Sequence, residues 1–107
     1  MNYVDKSVAL KYLANSEKIF NKVKESFLTT YRHGVEEIEG LCQEKNHEEL
    51  YRYIHSLKGI SLNLGSMPMY EDACRVLEKM KKEEDILSSL DQFIYTFRNV
   101  YLELSRL

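Results

Sequence analysis

The sequence predicts an all-α fold, a compact bundle of antiparallel helices. Apolar residues recur at the three- and four-residue spacing of amphipathic helices through most of the 107 residues. Only 4 Gly and 1 Pro are present, too few for the frequent turns of an all-β sandwich or barrel. Hydrophobic residues make up 44% of the chain and charged residues 30%. This balance supports both a core and a solvated surface, and it favours one folded domain over residues 1–107.

In the first half of the chain we predict a short helix after Asp5 and two longer helices. The apolar stripe of the first longer helix contains Ile19, Phe20, Val23, Phe27 and Tyr31. The stripe of the second contains Val35, Ile38, Leu41 and Cys42. Residues three and four positions apart share one face of a helix, so each stripe indicates a side that packs against the core.

The second half contains three further stripes. The first is Leu50, Ile54, Leu57, Ser61 and Leu64, on a helix predicted to begin near Asn46 and to end at Gly65. The second is Met69, Ala73, Val76, Leu77 and Met80, after Ser66 as the N-cap and Pro68 in the first turn. The third is Ile86, Leu90, Phe93, Phe97, Val100, Leu104 and Leu107. Links of two to four residues join the stripes, so successive helices should run antiparallel.

Charge and cysteine usage restrict the classes of partner. A net charge of −2 and a pI near 5.9 provide no basic footprint for nucleic acid. The first residues lack the apolar stretch of a signal peptide, and no segment has the apolar length of a membrane span. Cys42 and Cys74 stand apart from each other and from any metal-ligand pattern. We therefore expect a soluble, cytoplasmic, monomeric protein with two reduced core cysteines and no bound metal or cofactor.

The most informative segment runs from Ile54 to Gly65. With Leu50 taken as the core direction and about 100° of rotation per residue, His55 lies at about 140°, on the outward face. Gly59 follows one turn later at about 180°, although glycine inside a helix costs about 1 kcal/mol relative to alanine. Lys58 lies at about 80°, within reach of His55 because side chains three residues apart are neighbours.

These side chains suit phosphoryl transfer. A neutral imidazole nitrogen is a good nucleophile near pH 7, and an outward position lets it reach phosphorus held by another protein. Lys58 would offset charge on the phosphoryl oxygens, and Gly59 would remove a side chain that blocks the approach. Exposed Tyr51 and Leu62 would form an apolar docking patch. Arg52 and Asn63, on the same outward side, complete the predicted docking residues.

The segment resembles the signature of histidine phosphotransfer domains. The resemblance is carried by His55-Ser56-Leu57-Lys58-Gly59, then Ser61 and Asn63-Leu64-Gly65. Weaker similarity extends over Phe27 to Glu44 and over Cys74 to Glu78. Ile60 departs from the small residue that often follows the glycine. The resemblance implies an antiparallel up-and-down four-helix bundle with one or two additional N-terminal helices.

The resemblance also implies the roles of the residues. His55 matches the phosphorylated histidine, Lys58 the lysine that stabilises the phosphoryl group, and Gly59 the glycine that clears its surroundings. The partners would be receiver domains, such as that of a hybrid histidine kinase, whose aspartates donate and accept the group and which hold the metal ion. Asp72 and Arg75 are the candidates for an assisting polar group on the next helix. The segment lacks ATP-binding motifs, so we expect a carrier without kinase activity.

Two other functions remain as alternatives. A metal-binding bundle would need two Glu-x-x-His pairs, and the chain has one, Glu44 with His47. A non-catalytic helical interaction module would bind a signalling partner through an apolar patch, and replacing His55 by Gln would leave its function intact. His33 and His47 fall near predicted helix starts and are assigned no role.

Overall fold

The computed structural model describes residues 2–107 and confirms the all-α prediction. The helices are α1 (Lys6–Tyr12), α2 (Glu17–Thr30), α3 (Gly34–Gln43), α4 (His47–Ser61), α5 (Met67–Lys81) and α6 (Leu87–Ser105). A single 3-10 turn, Leu62–Leu64, continues α4. The part of the chain from residue 2 onward contains no β-strand.

The helices form a bundle with four sides. Helices α4, α5 and α6 each form one side, and α2 and α3 together form the fourth. The most extensive contacts join α4 to α5 and α5 to α6. α3 packs against α4, and α2 packs against α6 and the 3-10 turn, so these two helices close the bundle between α6 and α4. α1 covers the 3-10 turn. It is the additional N-terminal helix that the sequence predicts.

Most of these helices begin at a side chain that accepts a hydrogen bond from a free backbone N–H of the first turn. Asp5 accepts from the Ser7 N–H, and Ser16 accepts from the Ile19 N–H. Asn46 and Ser66 do the same for the N–H groups of Glu49 and Met69. Such caps typically stabilise a helix by about 1 kcal/mol. They confirm the predicted starts near Asn46 and at Ser66.

The apolar stripes form the core with two exceptions. Ile19 is 44% exposed and Leu107 is 63% exposed, so their placement in core stripes is wrong. Phe20, next to Ile19, takes the core position, and adjacent residues point about 100° apart on a helix. Leu107 lies beyond the last residue of α6, where the helical spacing no longer applies. The predicted core cysteines, Cys42 and Cys74, are free thiols that are only half buried.

The turn after α4 is longer and more tightly held than the stripes indicate. Five residues, Leu62 to Ser66, link α4 to α5, and five residues, 82–86, link α5 to α6, so the predicted maximum of four is wrong for both links. Gly65 has φ of +83°, and a Cβ on it would lie 2.3 Å from the Asp5 carbonyl oxygen. The Asp5 N–H donates to the Gly65 carbonyl over 2.8 Å. Glycine is required here because the N-terminal segment packs directly on this turn.

The same N-terminal segment is tied to α6. Both carboxylate oxygens of Glu103 accept hydrogen bonds from consecutive backbone N–H groups, those of Tyr3 at 2.7 Å and Val4 at 2.8 Å. Residues 3–5 thus connect the end of α6 with the turn after α4. None of the helices described from residue 2 to residue 107 is long and apolar enough to cross a membrane.

Candidate functional site

The outward face of α4 carries the predicted site. Leu50, Ile54, Leu57 and Ser61 of this helix are all buried, and they fix which side of α4 packs on the bundle. The Ser61 hydroxyl donates back to the Leu57 carbonyl over 2.7 Å, so this inward polar group is satisfied inside the core. His55 therefore points away from the bundle and is exposed, as the helical spacing predicts.

An aromatic ring stacks beside His55. The ring of Tyr51, one turn earlier on α4, lies with its centroid 6.2 Å from that of the imidazole and at 20° to its plane. Tyr51 is half buried rather than fully exposed. Its ring therefore flanks one side of the imidazole and leaves less apolar surface for docking than the sequence indicates.

Open space lies one turn beyond His55. Gly59 is exposed, and a Cβ built on it would meet no atom within 4 Å. Packing inside the bundle therefore does not require glycine at this position. The absent side chain leaves the surface beside His55 free, and this is the arrangement expected where a second macromolecule approaches the helix backbone.

Lys58 extends toward α5. It is half buried, and its Nζ lies 5.9 Å from the centroid of the Tyr70 ring in the first turn of α5. The sequence pattern did not single out Tyr70. The pattern gives no signal for this contact, because Tyr70 reaches Lys58 only through the packing of α5 on α4.

Besides Tyr51, the predicted docking residues are Arg52, Leu62 and Asn63. Arg52 is exposed, and its guanidinium pairs with the carboxylates of Glu48 and Glu49 on the same helix. Leu62 and Asn63 lie in the 3-10 turn and are half buried, since α1 and α2 both pack against that turn. Tyr51 and Leu62, predicted as an exposed apolar patch, are both half buried, so the surface around His55 is more polar than expected.

The two candidates for an assisting polar group belong to another contact. Asp72 is buried, and its carboxylate accepts from the Thr96 hydroxyl at 2.6 Å and from the Arg75 guanidinium at 2.7 Å. Gln92 donates to the Thr96 hydroxyl over 3.3 Å. This network joins α5 to α6. In residues 2–107, Asp72 and Arg75 contact each other and Thr96, and neither forms a hydrogen bond or ion pair with His55 or Lys58.

Two open cavities flank α4 without including His55, Lys58 or Gly59. One, of about 520 Å³, lies between α3 and α4 and is lined in part by Tyr31, Arg52 and Tyr53. Burial is the main cause that raises the pKa of both phenols, and the negative charge of Glu37 adds to it. The other, of about 430 Å³, lies between α2 and the end of α4. His55 thus lies outside both cavities, on the exposed outer face of α4.

The described part of the chain contains no candidate metal site. Across residues 2–107, no group of three or more His, Cys, Asp or Glu side chains is placed to hold a metal ion.

Comparison with known proteins identifies the family. Searches among curated proteins and among solved structures found no significant match to the chain. The family model described as the Hpt domain matches residues 22–105. This range includes most of α2 and all of α3 to α6, so it covers the four sides of the bundle and the face with His55. The chain belongs to the Hpt domain family, the histidine phosphotransfer domains.

Proposed function

We propose that this protein is a phosphocarrier that accepts a phosphoryl group on His55 from the aspartate of one receiver domain and passes it to the aspartate of another. Hpt domains serve histidine phosphotransfer in phosphorelays, interact with receiver domains and lack kinase activity. The observation that carries the assignment to His55 is its position on the outward face in the middle of α4, one turn before an open glycine.

The other two histidines lack this setting. His33 is the N-cap residue of α3, with its Nδ1 3.8 Å from a carboxylate oxygen of Glu36. His47 is the first residue of α4. Among residues 2–107, neither of them has an aromatic ring stacked on it or an open glycine one turn later in the chain. His55 is therefore the proposed nucleophile.

The proposed step is an in-line transfer between two proteins. The unprotonated nitrogen of a neutral imidazole attacks the phosphorus of the aspartyl phosphate and forms an N–P bond. The P–O bond to the aspartate breaks, and the aspartate leaves as a carboxylate. The second ring nitrogen can release its proton to solvent, since the imidazole is exposed. Passing the group to a second receiver reverses these bond changes with that receiver's carboxylate as the nucleophile.

Neighbouring residues contribute to binding and to charge. The Lys58 ammonium would stabilise the phosphoryl oxygens during transfer and in the phosphohistidine. Tyr51, stacked on the imidazole, restricts the ring and so lowers the entropy lost when the reacting atoms align. Gly59 leaves space for the receiver surface, and Arg52, Leu62 and Asn63 are proposed to contact it. The receiver supplies the metal ion that the reaction needs.

The test uses a receiver domain that carries radioactive phosphate on its aspartate. Wild-type protein should take up label that is lost in acid and stable in alkali, as expected for phosphohistidine. His55→Gln should take up none and keep its helical circular dichroism, whereas the matched variants His33→Gln and His47→Gln should accept label like wild type.

Two results would contradict the proposal. Label on His55→Gln would place the acceptor elsewhere. A folded wild-type protein that accepts no label from a panel of receivers would favour a non-catalytic helical interaction module instead.

A further inference from the structure

The ammonium group of Lys58 contacts an aromatic ring of α5 in this structure. The Nζ of Lys58 lies 5.9 Å from the centre of the Tyr70 ring, within the range of a cation–π contact. Among the residues described from 2 to 107, Lys58 forms no ion pair with a carboxylate. The ring is therefore the group that holds the ammonium at the seam between α4 and α5.

The ring itself is firmly placed. Tyr70 lies in the first turn of α5, which begins at the Ser66 cap with Pro68 next to its first residue. Its side chain is half buried, and its neighbour Met69 is fully buried. α4 and α5 share the most extensive contact between helices. The ring is thus fixed relative to α4, while the lysine that reaches it has a long and flexible side chain.

Phosphorylation would change what attracts this ammonium. A phosphoryl group on His55 places two negative charges three residues from Lys58 on the same helix, within reach of its side chain. An ion pair with a phosphoryl oxygen is stronger than a cation–π contact at a partly exposed site. Lys58 would therefore leave the ring and turn toward the phosphoryl group.

We propose that Tyr70 is the resting partner of Lys58 in the unphosphorylated protein and that this contact weakens the hold of His55 on the phosphoryl group. The inference rests on the proposed function of His55 and Lys58. An interaction present in only one of two states shifts the equilibrium toward that state. The Tyr70 contact thus stabilises the unphosphorylated form and makes His55 a readier donor to the next receiver. Tyr70 acts through Lys58, so it is a positioning residue.

The test measures how a phosphoryl group partitions between one receiver and this protein at equilibrium. Tyr70→Leu removes the aromatic face and should shift the equilibrium about two- to five-fold toward phosphohistidine, the size of one cation–π contact at an exposed site. Tyr70→Phe keeps the face and should match wild type. In a Lys58→Met background, Tyr70→Leu should have no further effect, because the contact is already absent.

A second readout does not depend on phosphoryl transfer. The ring current of an aromatic face moves the NMR signals of protons that lie over it. The Lys58 methylene protons next to Nζ should be shifted upfield in wild type and in Tyr70→Phe. The shift should be lost in Tyr70→Leu and, for wild type, on phosphorylation.

Three results would overturn the inference: no ring-current shift in wild type, no change of the equilibrium in Tyr70→Leu, or the same change with Lys58→Met present. A wild-type protein that shows the ring-current shift and accepts no phosphoryl group would refute the proposed function of His55, and with it the role of the contact. If Tyr70→Leu does not fold, the wild-type NMR shift and its loss on phosphorylation still decide the question.

Discussion

Two glycines inside helices both have free space at the Cβ position, and they differ in their positions relative to His55. A Cβ on Gly59 or on Gly40 would meet no atom within 4 Å. Glycine in a helix interior costs about 1 kcal/mol relative to alanine, and neither residue has a packing reason for that loss. Gly59 lies one turn from His55, whereas Gly40 lies on α3. The pair therefore separates the effect of a glycine on stability from its effect on transfer.

Alanine at either glycine should stabilise the fold. Gly40→Ala and Gly59→Ala should each raise the free energy of unfolding by about 0.5–1 kcal/mol in urea denaturation. Gly59→Leu should slow phosphoryl acceptance from a receiver by about ten- to a hundredfold, because a bulky side chain displaces the partner from His55. Gly40→Leu should accept at the wild-type rate.

Equal transfer rates for the two leucine variants would show that the open space beside His55 has no function. A loss of stability in either alanine variant would show that the space around that glycine is occupied.

Individual residues also show which features of the candidate site could be predicted from the sequence. The outward direction of His55 follows from the spacing of Leu50, Ile54 and Leu57, because these three residues fix the buried side of α4. The contact of Lys58 with Tyr70 does not follow, since it depends on how α5 packs against α4. The partial burial of the turn that contains Leu62 depends in the same way on α1 and α2, which are far from it in sequence.

At the scale of helices, α5 and α6 are joined by a buried carboxylate. Asp72 accepts from the Thr96 hydroxyl and from Arg75, and Thr96 is 1% exposed. A buried charged group that loses a hydrogen-bond donor typically destabilises a protein by about 1–3 kcal/mol. None of the contacts of this network involves His55 or Lys58, so its loss should affect stability and leave phosphoryl transfer intact.

Replacing Thr96 tests this separation. Thr96→Val keeps the shape of the side chain and removes the donor, so the free energy of unfolding should fall by about 1–3 kcal/mol. Phosphoryl acceptance under conditions where the variant is folded should equal that of wild type. Thr29→Val, at an exposed position of α2, is the matched control and should change neither quantity.

An unchanged stability would mean that the Thr96 hydroxyl does not support Asp72. Slower transfer by folded Thr96→Val would mean that Asp72 acts at the site after all, as the sequence had led us to consider.

Helix positions were largely predictable, and helix ends less so. Ser66 with Pro68, and Asn46 before the stripe of Leu50, indicate the starts of α5 and α4 that the structure shows. The end of α4 is different, since its last turn tightens into the 3-10 turn before Gly65. The reason is tertiary: the N-terminal segment binds the Gly65 carbonyl and leaves no room for a side chain. Local spacing carries no information about that contact.

At the scale of the whole molecule, the outward face of α4 is exposed, and the rest of the bundle packs against the other sides of this helix. α4 is packed by α3 on one side and by α5 on the other. The N-terminal segment, held by Glu103 of α6, fixes the turn at the end of α4. The side chains proposed to meet a receiver thus lie on rigid elements, which favours fast and reversible docking without a change of shape.

We propose that this molecule both accepts and donates a phosphoryl group through His55, and onward transfer to a second receiver tests both steps in one experiment. Protein labelled by a first receiver is purified and mixed with a second, unlabelled receiver and Mg²⁺. We predict that the label moves to the second receiver faster than the phosphohistidine hydrolyses in the absence of a receiver, and that a receiver with Asn in place of its acceptor aspartate takes up none. Label that stays on the protein until it is released as inorganic phosphate, with none on any receiver, would contradict the account.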